Sequence, residues 1–259
     1  MNISKKIPIF VINMEKDKQR RDYISNKLDQ LGLSFEFVKA VDGSLIEEAD
    51  IARKTLKNKT INSIGREMSR GEIGCVLSHL YIYKKMIKEG IEHALIFEDD
   101  VDIDCDNFYE VIASLVKDTD NRPQVYLLTE VISYLSKNMK KINSKYDVAS
   151  IVQALSTAGY LINLPAAKKM FDINKKVWIV ADDWVRYRMY SKINIYCILP
   201  SIVKGDPIFS THSNITSERK KKKKIRTIRY VISRNKNKII ADIKKYFWFI
   251  PFQGYTKVK

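Results

Sequence analysis

The sequence predicts an α/β fold of one principal domain, and three observations predict it. Its 259 residues accommodate one large domain, or one domain with an appendage. Near the start, an apolar run, a helical pattern and a second apolar run follow at the spacing of a βαβ unit with a right-handed crossover. In the middle, the run Ala94-Leu95-Ile96-Phe97 ends abruptly in Glu98, Asp99 and Asp100, with Asp102 and Asp104 at the next alternate positions. Short apolar runs bounded by polar residues have the pattern of buried strands. A strand that releases carboxylates at its C-terminal end presents them where open α/β sheets bind ligands.

Taken in order, residues 7–12 read as the first buried strand, with Pro8 near its start, where proline is tolerated, and Asn13 at its end. The following helix carries Ile24, Leu28 and Leu31 on one stripe, Arg20 and Arg21 early, and Gly32 as its stop. Residues 35–38 alternate as a second strand that runs into the turn Ala40-Val41-Asp42-Gly43. No glycine-rich phosphate loop joins Asn13 to the helix. Residues 44–70 are polar, lysine-rich and weakly periodic, which predicts a lightly packed insertion. Ile73, Val76, Leu77, Leu80 and Ile87 mark one face of a helix ending at Gly90, with Ser78 and His79 near its middle. Taken alone, His79 reads as a satisfied, partly buried histidine more readily than as a ligand or base.

After the acidic strand end come a helix over 107–117, a strand over 124–129 and a polar loop over 136–150. Residues 156–162 read as a strand whose Gly159 suits either the close approach of a ligand or a tight sheet crossing. Pro165 opens a short helix to Phe171. Residues 177–183, VWIVADD, form a second apolar run ending in paired acids, Asp182 and Asp183, with Trp184 next. A late strand covers 194–199, and a loop over 202–215 carries His212.

Several carboxylates this close repel one another, so a hard cation such as Mg²⁺ or Mn²⁺ is their natural partner. Two ligand patterns compete, Glu98-x-Asp100 and Asp100-x-Asp102, and both contain Asp100. The bland alternative is an acidic turn that solvates a strand end; the buried strand leading into it favours the metal. At the second acidic exit, one carboxylate suits a general base, and the competing reading makes one of the pair the N-cap of a helix starting at Trp184.

Cys75, Cys105 and Cys197 are too few and too scattered for a disulfide framework or a zinc site, and read as buried free thiols of a reducing compartment. The first apolar run is too short for a signal segment and no stretch is long enough to span a bilayer, which predicts a cytoplasmic location. The net charge of +16 is unevenly placed: residues 218–259 carry fifteen Lys/Arg against two acids, so the tail holds +13 and the body only +3. Within the tail, Ile225, Ile228, Val231, Ile232, Ile239, Ile243 and Phe247 recur at helical spacing, closing on Tyr246-Phe247-Trp248-Phe249. A basic amphipathic helix with terminal aromatics suits an anionic membrane surface. The expected division is therefore 1–217 as the catalytic domain and 218–259 as a membrane-association tail.

In order and spacing, the pieces resemble glycosyltransferase family 25, the group containing bacterial lipopolysaccharide galactosyltransferases. They are Phe10-Val11-Ile12-Asn13 with basic residues in the next helix, the Ala40-Val41-Asp42-Gly43 turn, and Gly71-Glu72-Ile73-Gly74-Cys75 with Ser78-His79. Phe97-Glu98-Asp99-Asp100-Val101, Ala158-Gly159-Tyr160-Leu161-Ile162 and Ala181-Asp182-Asp183-Trp184 complete the set. The resemblance spans about residues 7–215 and leaves the basic tail outside.

It implies a GT-A-like single domain around a mostly parallel central sheet, and inverting transfer of a hexose, galactose foremost, from a UDP-sugar to a lipooligosaccharide or lipopolysaccharide acceptor. It implies donor binding by Asn13, Arg20 (or Arg21 in its place), Glu72, His79, Glu98 and Asp99. Mn²⁺ or Mg²⁺ would sit on Asp100 with Glu98 or Asp102, and His212, which departs from the family's pattern, is the candidate third ligand. The base would be Asp182 or Asp183, with Asp182 favoured, and Trp184 would offer an apolar face to a sugar ring. A lipid-linked acceptor gives the tail its purpose and predicts peripheral attachment to the inner face of a bacterial inner membrane.

Two other classes compete. A metal-dependent phosphoesterase is disfavoured because the only histidines are His79, His93 and His212, and no two stand at ligand spacing. A nucleic-acid-binding protein would rest on the tail alone, whose aromatics could stack bases; the near-neutral body argues against it, and no nucleic-acid partner is expected.

Overall fold

The computed structural model describes residues 7–103, 108–206, 209, 230–231 and 255–257. Its centre is a mixed sheet whose apolar strands are covered on both faces. Strand β1 (Ile9–Asn13) is buried along its whole length, as are β5 (Gln124–Leu127) and β9 (Gly159–Asn163), and β3 (His93–Glu98) is buried at its four central positions. β1 pairs in parallel with β2 (Glu36–Lys39) and with β3. β9 runs antiparallel to both β3 and β5, and β10 (Asn194–Leu199) is parallel to β5. In the order β2-β1-β3-β9-β5-β10, five strands therefore share one direction and β9 alone opposes them. This is the expected α/β architecture with a mostly parallel central sheet.

Alternation along β1 divides the core. Phe10 and Ile12 face a layer that includes helices α4 (Arg70–Glu89) and α6 (Leu164–Ile173), while Ile9 and Val11 face α1 (Lys18–Gln30) and α5 (Phe108–Asp118). α1 ends where Gly32 takes φ +64° and Leu33 N–H returns to Leu28 O at 2.9 Å. α4 starts in a capping box between Ser69 and Glu72 and ends at Gly90 with φ +67°.

Three expectations are corrected. Residues 44–70 are regular where weak periodicity predicts no elements: a 3-10 turn (Gly43–Leu45) and helices α2 (Glu48–Lys54) and α3 (Lys57–Ile64) lie on the core through Ile46, Ile51 and Ile64, lightly packed as far as Lys59 and with buried positions from Thr60 to Ser69. The supposed loop over 136–150 contains β7 (Lys140–Lys141) and the start of β8 (Asp147–Gln153), which joins the sheet antiparallel to β10. The run over 177–183 is buried from Val177 to Ala181 without being a strand of the sheet. Asn174 replaces a ladder there, accepting from Trp178 N–H at 2.9 Å and Ile179 N–H at 3.1 Å and donating to Ile179 O at 2.8 Å.

The amphipathic helix expected over 218–259 lies outside the described residues, apart from two pieces. Tyr230 places its ring where a Cβ on Gly65 would fall 2.7 Å away, and β12 (Tyr255–Lys257) pairs antiparallel with β6 (Ser133–Leu135) at the edge of the sheet. No helix among the described residues is long and apolar enough to cross a membrane.

Candidate active site at the C-terminal ends of β1 and β3

Because β1 and β3 are parallel neighbours, with Ile12 opposite Glu98, their C-terminal ends open at the same edge of the fold. Asn13 is buried there and donates from Nδ2 to Asp99 Oδ2 at 2.7 Å. Arg20, in the first turn of α1, reaches Asp99 Oδ1 at 3.2 Å and Asp100 Oδ2 at 3.3 Å from Nη1, and Phe209 O at 3.2 Å from Nη2. Arg21 turns elsewhere, its guanidinium 3.8 Å over the Phe37 ring and 3.5 Å from Asn13 Oδ1. Of the two arginines, Arg20 is the one that meets the acids.

The acids are held unequally. Burial pushes Asp99 above the ordinary carboxylate range, against hydrogen bonds from Asn13 and Arg20. Burial and the neighbouring Glu98 charge push Asp100 up to about 6, with Arg20 opposing. Burial acts on Glu98 too, but His79, Thr157 and Arg20 outweigh it and hold that carboxyl low. The donor set fits a hard divalent cation, because Glu98, Asp99 and Asp100 crowd carboxylate oxygens at one strand end and Arg20 is the cation that meets Asp99 and Asp100 there.

Asp102 has an ion-pair partner of its own. On β4 (Val101–Ile103) it meets Lys27 of α1 at 2.9 Å, between the buried Val101 and Ile103. Opposite β4 lies β11 (Val203–Gly205), after which Asp206 N–H bonds Asp100 O at 2.8 Å and its carboxylate accepts from Tyr23 O–H at 2.5 Å. Neither Tyr23 nor Asp206 carries a sequence pattern that marks it. His212 lies outside the described residues, as do Asp104 and Cys105.

Behind Glu98 sits His79, which is 2% exposed. Its Nδ1 is 2.7 Å from the Tyr160 hydroxyl, which is 2.7 Å from that of Tyr83, and Thr157 O–H donates to Glu98 Oε1 at 2.5 Å. Gly159 at the start of β9 is a tight crossing: a Cβ there would lie 2.9 Å from Val203 Cγ1 and 3.2 Å from the Phe97 ring.

Glu72 requires correction as a donor-binding residue. It is buried in the α4 cap, where Arg66 grips both carboxylate oxygens at 2.6 and 2.7 Å and Ser69 N–H adds a bond at 2.8 Å. Trp184 likewise offers no face to a sugar, since it is wholly buried and its indole N–H donates to Ser156 O at 2.7 Å. Asp183 is the N-cap of α7 (Trp184–Ser191), accepting from Arg186 N–H at 3.1 Å and pairing with the Arg186 guanidinium. Asp182 precedes it, half-buried, in the turn closed by Trp184 N–H to Asp182 O at 3.0 Å. Ser156 and Thr157 lead into β9, whose Gly159 faces Phe97, so the 182–184 turn lies at the same end of the sheet as the acidic cluster.

The sequence profile of Glycosyltransferase family 25 (LPS biosynthesis protein) matches residues 6–185, and the chain belongs to that family. A Glycosyltransferase 25 family member from Aedes aegypti is 34% identical over 172 residues, which are 63% of this chain and 28% of that protein. Procollagen galactosyltransferase 2 of Homo sapiens is 31% identical over 178 residues, 64% of this chain and 27% of its own. The chain thus spans little more than a quarter of the length of these relatives. Among solved structures, the inositol-1-phosphate CTP transferase from T. maritima aligns over 83% of this chain and 97% of its own, at 12% identity and a TM-score of 0.40.

Proposed function

We propose that this chain transfers a hexose, galactose foremost, from a UDP-sugar to a lipooligosaccharide or lipopolysaccharide acceptor, with inversion at the sugar carbon. The observation that carries the reading is the Asn13–Asp99–Arg20–Asp100 constellation at the ends of β1 and β3, within the region that matches the family. The human relative, named a procollagen galactosyltransferase, favours the sugar, and the family's description by lipopolysaccharide biosynthesis favours the acceptor class.

Asn13 and Asp99 would orient the nucleotide, and Arg20 would turn its guanidinium from the two acids toward the diphosphate. Asp100 with Glu98 would hold Mn²⁺ or Mg²⁺, which supplies charge neutralisation to a departing diphosphate. Asp182 would take the proton from the acceptor hydroxyl as its oxygen bonds the sugar carbon and UDP leaves. Asp183, engaged by Arg186, would hold α7 in place. A lipid-linked acceptor and the basic tail together favour peripheral attachment to the cytoplasmic face of the membrane.

The test is UDP release from UDP-galactose, UDP-glucose and their N-acetyl forms, with and without lipooligosaccharide core, in Mn²⁺, Mg²⁺ or chelator. Acceptor-stimulated, metal-dependent release from one donor, with an inverted anomer in the product, is expected. Absence of acceptor-stimulated release from all four donors would overturn the reading, and metal-dependent cleavage of phosphate esters would replace it with the phosphoesterase class.

A further inference from the structure

Cys75, His79 and Glu98 converge behind the acidic cluster, and their three potential ligand atoms lie within 4.8 Å of one another. The first two stand four residues apart on α4, so one helix face presents both. Glu98 arrives from the end of β3. This convergence is a product of the fold: three scattered cysteines show no zinc spacing in the sequence, yet one of them meets a histidine and a carboxylate in space.

His79 is the residue that turns proximity into a site. Its Nδ1 is engaged by Tyr160, which Tyr83 supports from behind. Its Nε2 is buried and makes no hydrogen bond, and it points at Glu98 Oε1 from 3.7 Å. An imidazole anchored through one nitrogen, with a carboxylate but no hydrogen bond at the other, is oriented as second partners orient a metal-ligating histidine. Tetrahedral Zn²⁺, with bonds of about 2.0–2.3 Å, sets its ligands about 3.3–3.6 Å apart. The His79–Glu98 pair is already near that separation, and a Cys75 ligand atom lies within 4.8 Å of both.

We propose that Cys75, His79 and Glu98 bind a borderline divalent cation of the zinc type, at a position chemically distinct from the hard-cation position at Asp100. Thiolate and imidazole select Zn²⁺ over Mg²⁺ or Mn²⁺, and three protein ligands leave a fourth position open. Binding forms the metal–sulfur bond as the Cys75 thiol gives its proton to solvent. Glu98 Oε1, which also accepts from Thr157 at 2.5 Å, is the oxygen nearest His79, so Glu98 would be common to the two sets of ligands. A cation at this point ties α4 to the end of β3. The proposal does not depend on the transferase reading.

The test uses metal-stripped full-length protein titrated with Co²⁺ under reducing conditions. One equivalent should produce a near-ultraviolet thiolate-to-cobalt charge-transfer band that Zn²⁺ abolishes and Mg²⁺ leaves intact. The band should persist in the Cys105→Ser/Cys197→Ser double variant, where Cys75 is the only thiol, and in Asp100→Asn. It should vanish in Cys75→Ser, and His79→Gln should weaken Co²⁺ binding at least tenfold. Zn²⁺ should raise the Tm of the intact protein but not of Cys75→Ala, a measurement that still reports if Cys75→Ser is poorly folded. A band that survives Cys75→Ser, or no band in the intact reduced protein, would overturn the proposal and leave Cys75 beside a purely structural His79–Tyr160 network.

Discussion

Gly74 lies so close to Val41 that a Cβ on it would stand 2.4 Å from the Val41 carbonyl oxygen and 2.8 Å from Gly43 N. Gly43 is tighter still, with 1.8 Å between its ideal Cβ position and Arg70 O. Val41 N–H donates to Ser78 Oγ at 2.8 Å across the same contact. The turn after β2 is thereby seated on α4, and the helix that carries His79 takes its position from backbone touching backbone. Backbone atoms cannot rotate aside, so Gly74→Ala must displace one segment. We expect it to cost roughly 1–3 kcal/mol, read as a lower urea midpoint at unchanged m-value. Unaltered stability would show that this contact does not hold α4.

That contact also explains what the sequence could disclose. Its glycine-bearing motifs were visible as separate pieces, but their meeting was not, because nothing in one segment encodes its distance to another. β1, β3, β9 and β10 were legible because apolar runs with polar ends have few other solutions in a sheet covered on both faces. α2 and α3 were not: α2 buries no residue, and the two buried positions of α3 are the polar Thr60 and Ser63, so no apolar stripe announces them. The 177–183 run looked like a strand because apolar content does not show whether backbone partners come from a ladder or from a side chain such as Asn174. At the site, the carboxylates of β3 were legible by type and crowding. Which arginine meets them, and that Lys27 claims Asp102, depended on how α1 packs.

The paired acids before α7 should separate by assay. Asp183→Ala removes an N-cap and the Arg186 pair, and should destabilise the protein by about 1–2 kcal/mol, measured by thermal or urea unfolding. Asp182→Asn removes the proposed proton acceptor while leaving both contacts of Asp183, so kcat should fall at little change in stability or donor KM. Wild-type turnover in Asp182→Asn would place the base elsewhere.

At the acidic edge, Asp100→Ala should reduce transfer by about 10²-fold or more and remove its response to added Mn²⁺ or Mg²⁺. Arg20→Ala leaves the carboxylates in place but takes away their shared partner and the proposed diphosphate contact, so its main effect should be a higher donor KM. Calorimetry of UDP binding checks the second effect without turnover. Undiminished UDP affinity in Arg20→Ala would limit that residue to holding Asp99 and Asp100.

The basic tail makes a prediction that needs neither donor nor acceptor. Residues 220–224 are five consecutive lysines, and most of the chain's net charge lies beyond residue 217. Near an anionic surface each such charge contributes about 1 kcal/mol, so even part of the set would sustain reversible attachment. Deletion is a poor test, because it would also remove β12 from the edge of β6. Charge reversal in the full chain, with all five lysines changed to Glu, leaves that pairing segment intact. The unaltered protein should cosediment with anionic vesicles, stay in solution with neutral ones, and release as salt shortens the reach of the attraction. The reversed variant should remain in solution with both. Equal binding to neutral and anionic vesicles, or attachment that survives charge reversal, would remove the electrostatic anchor and leave the tail's isoleucines and aromatics to another partner.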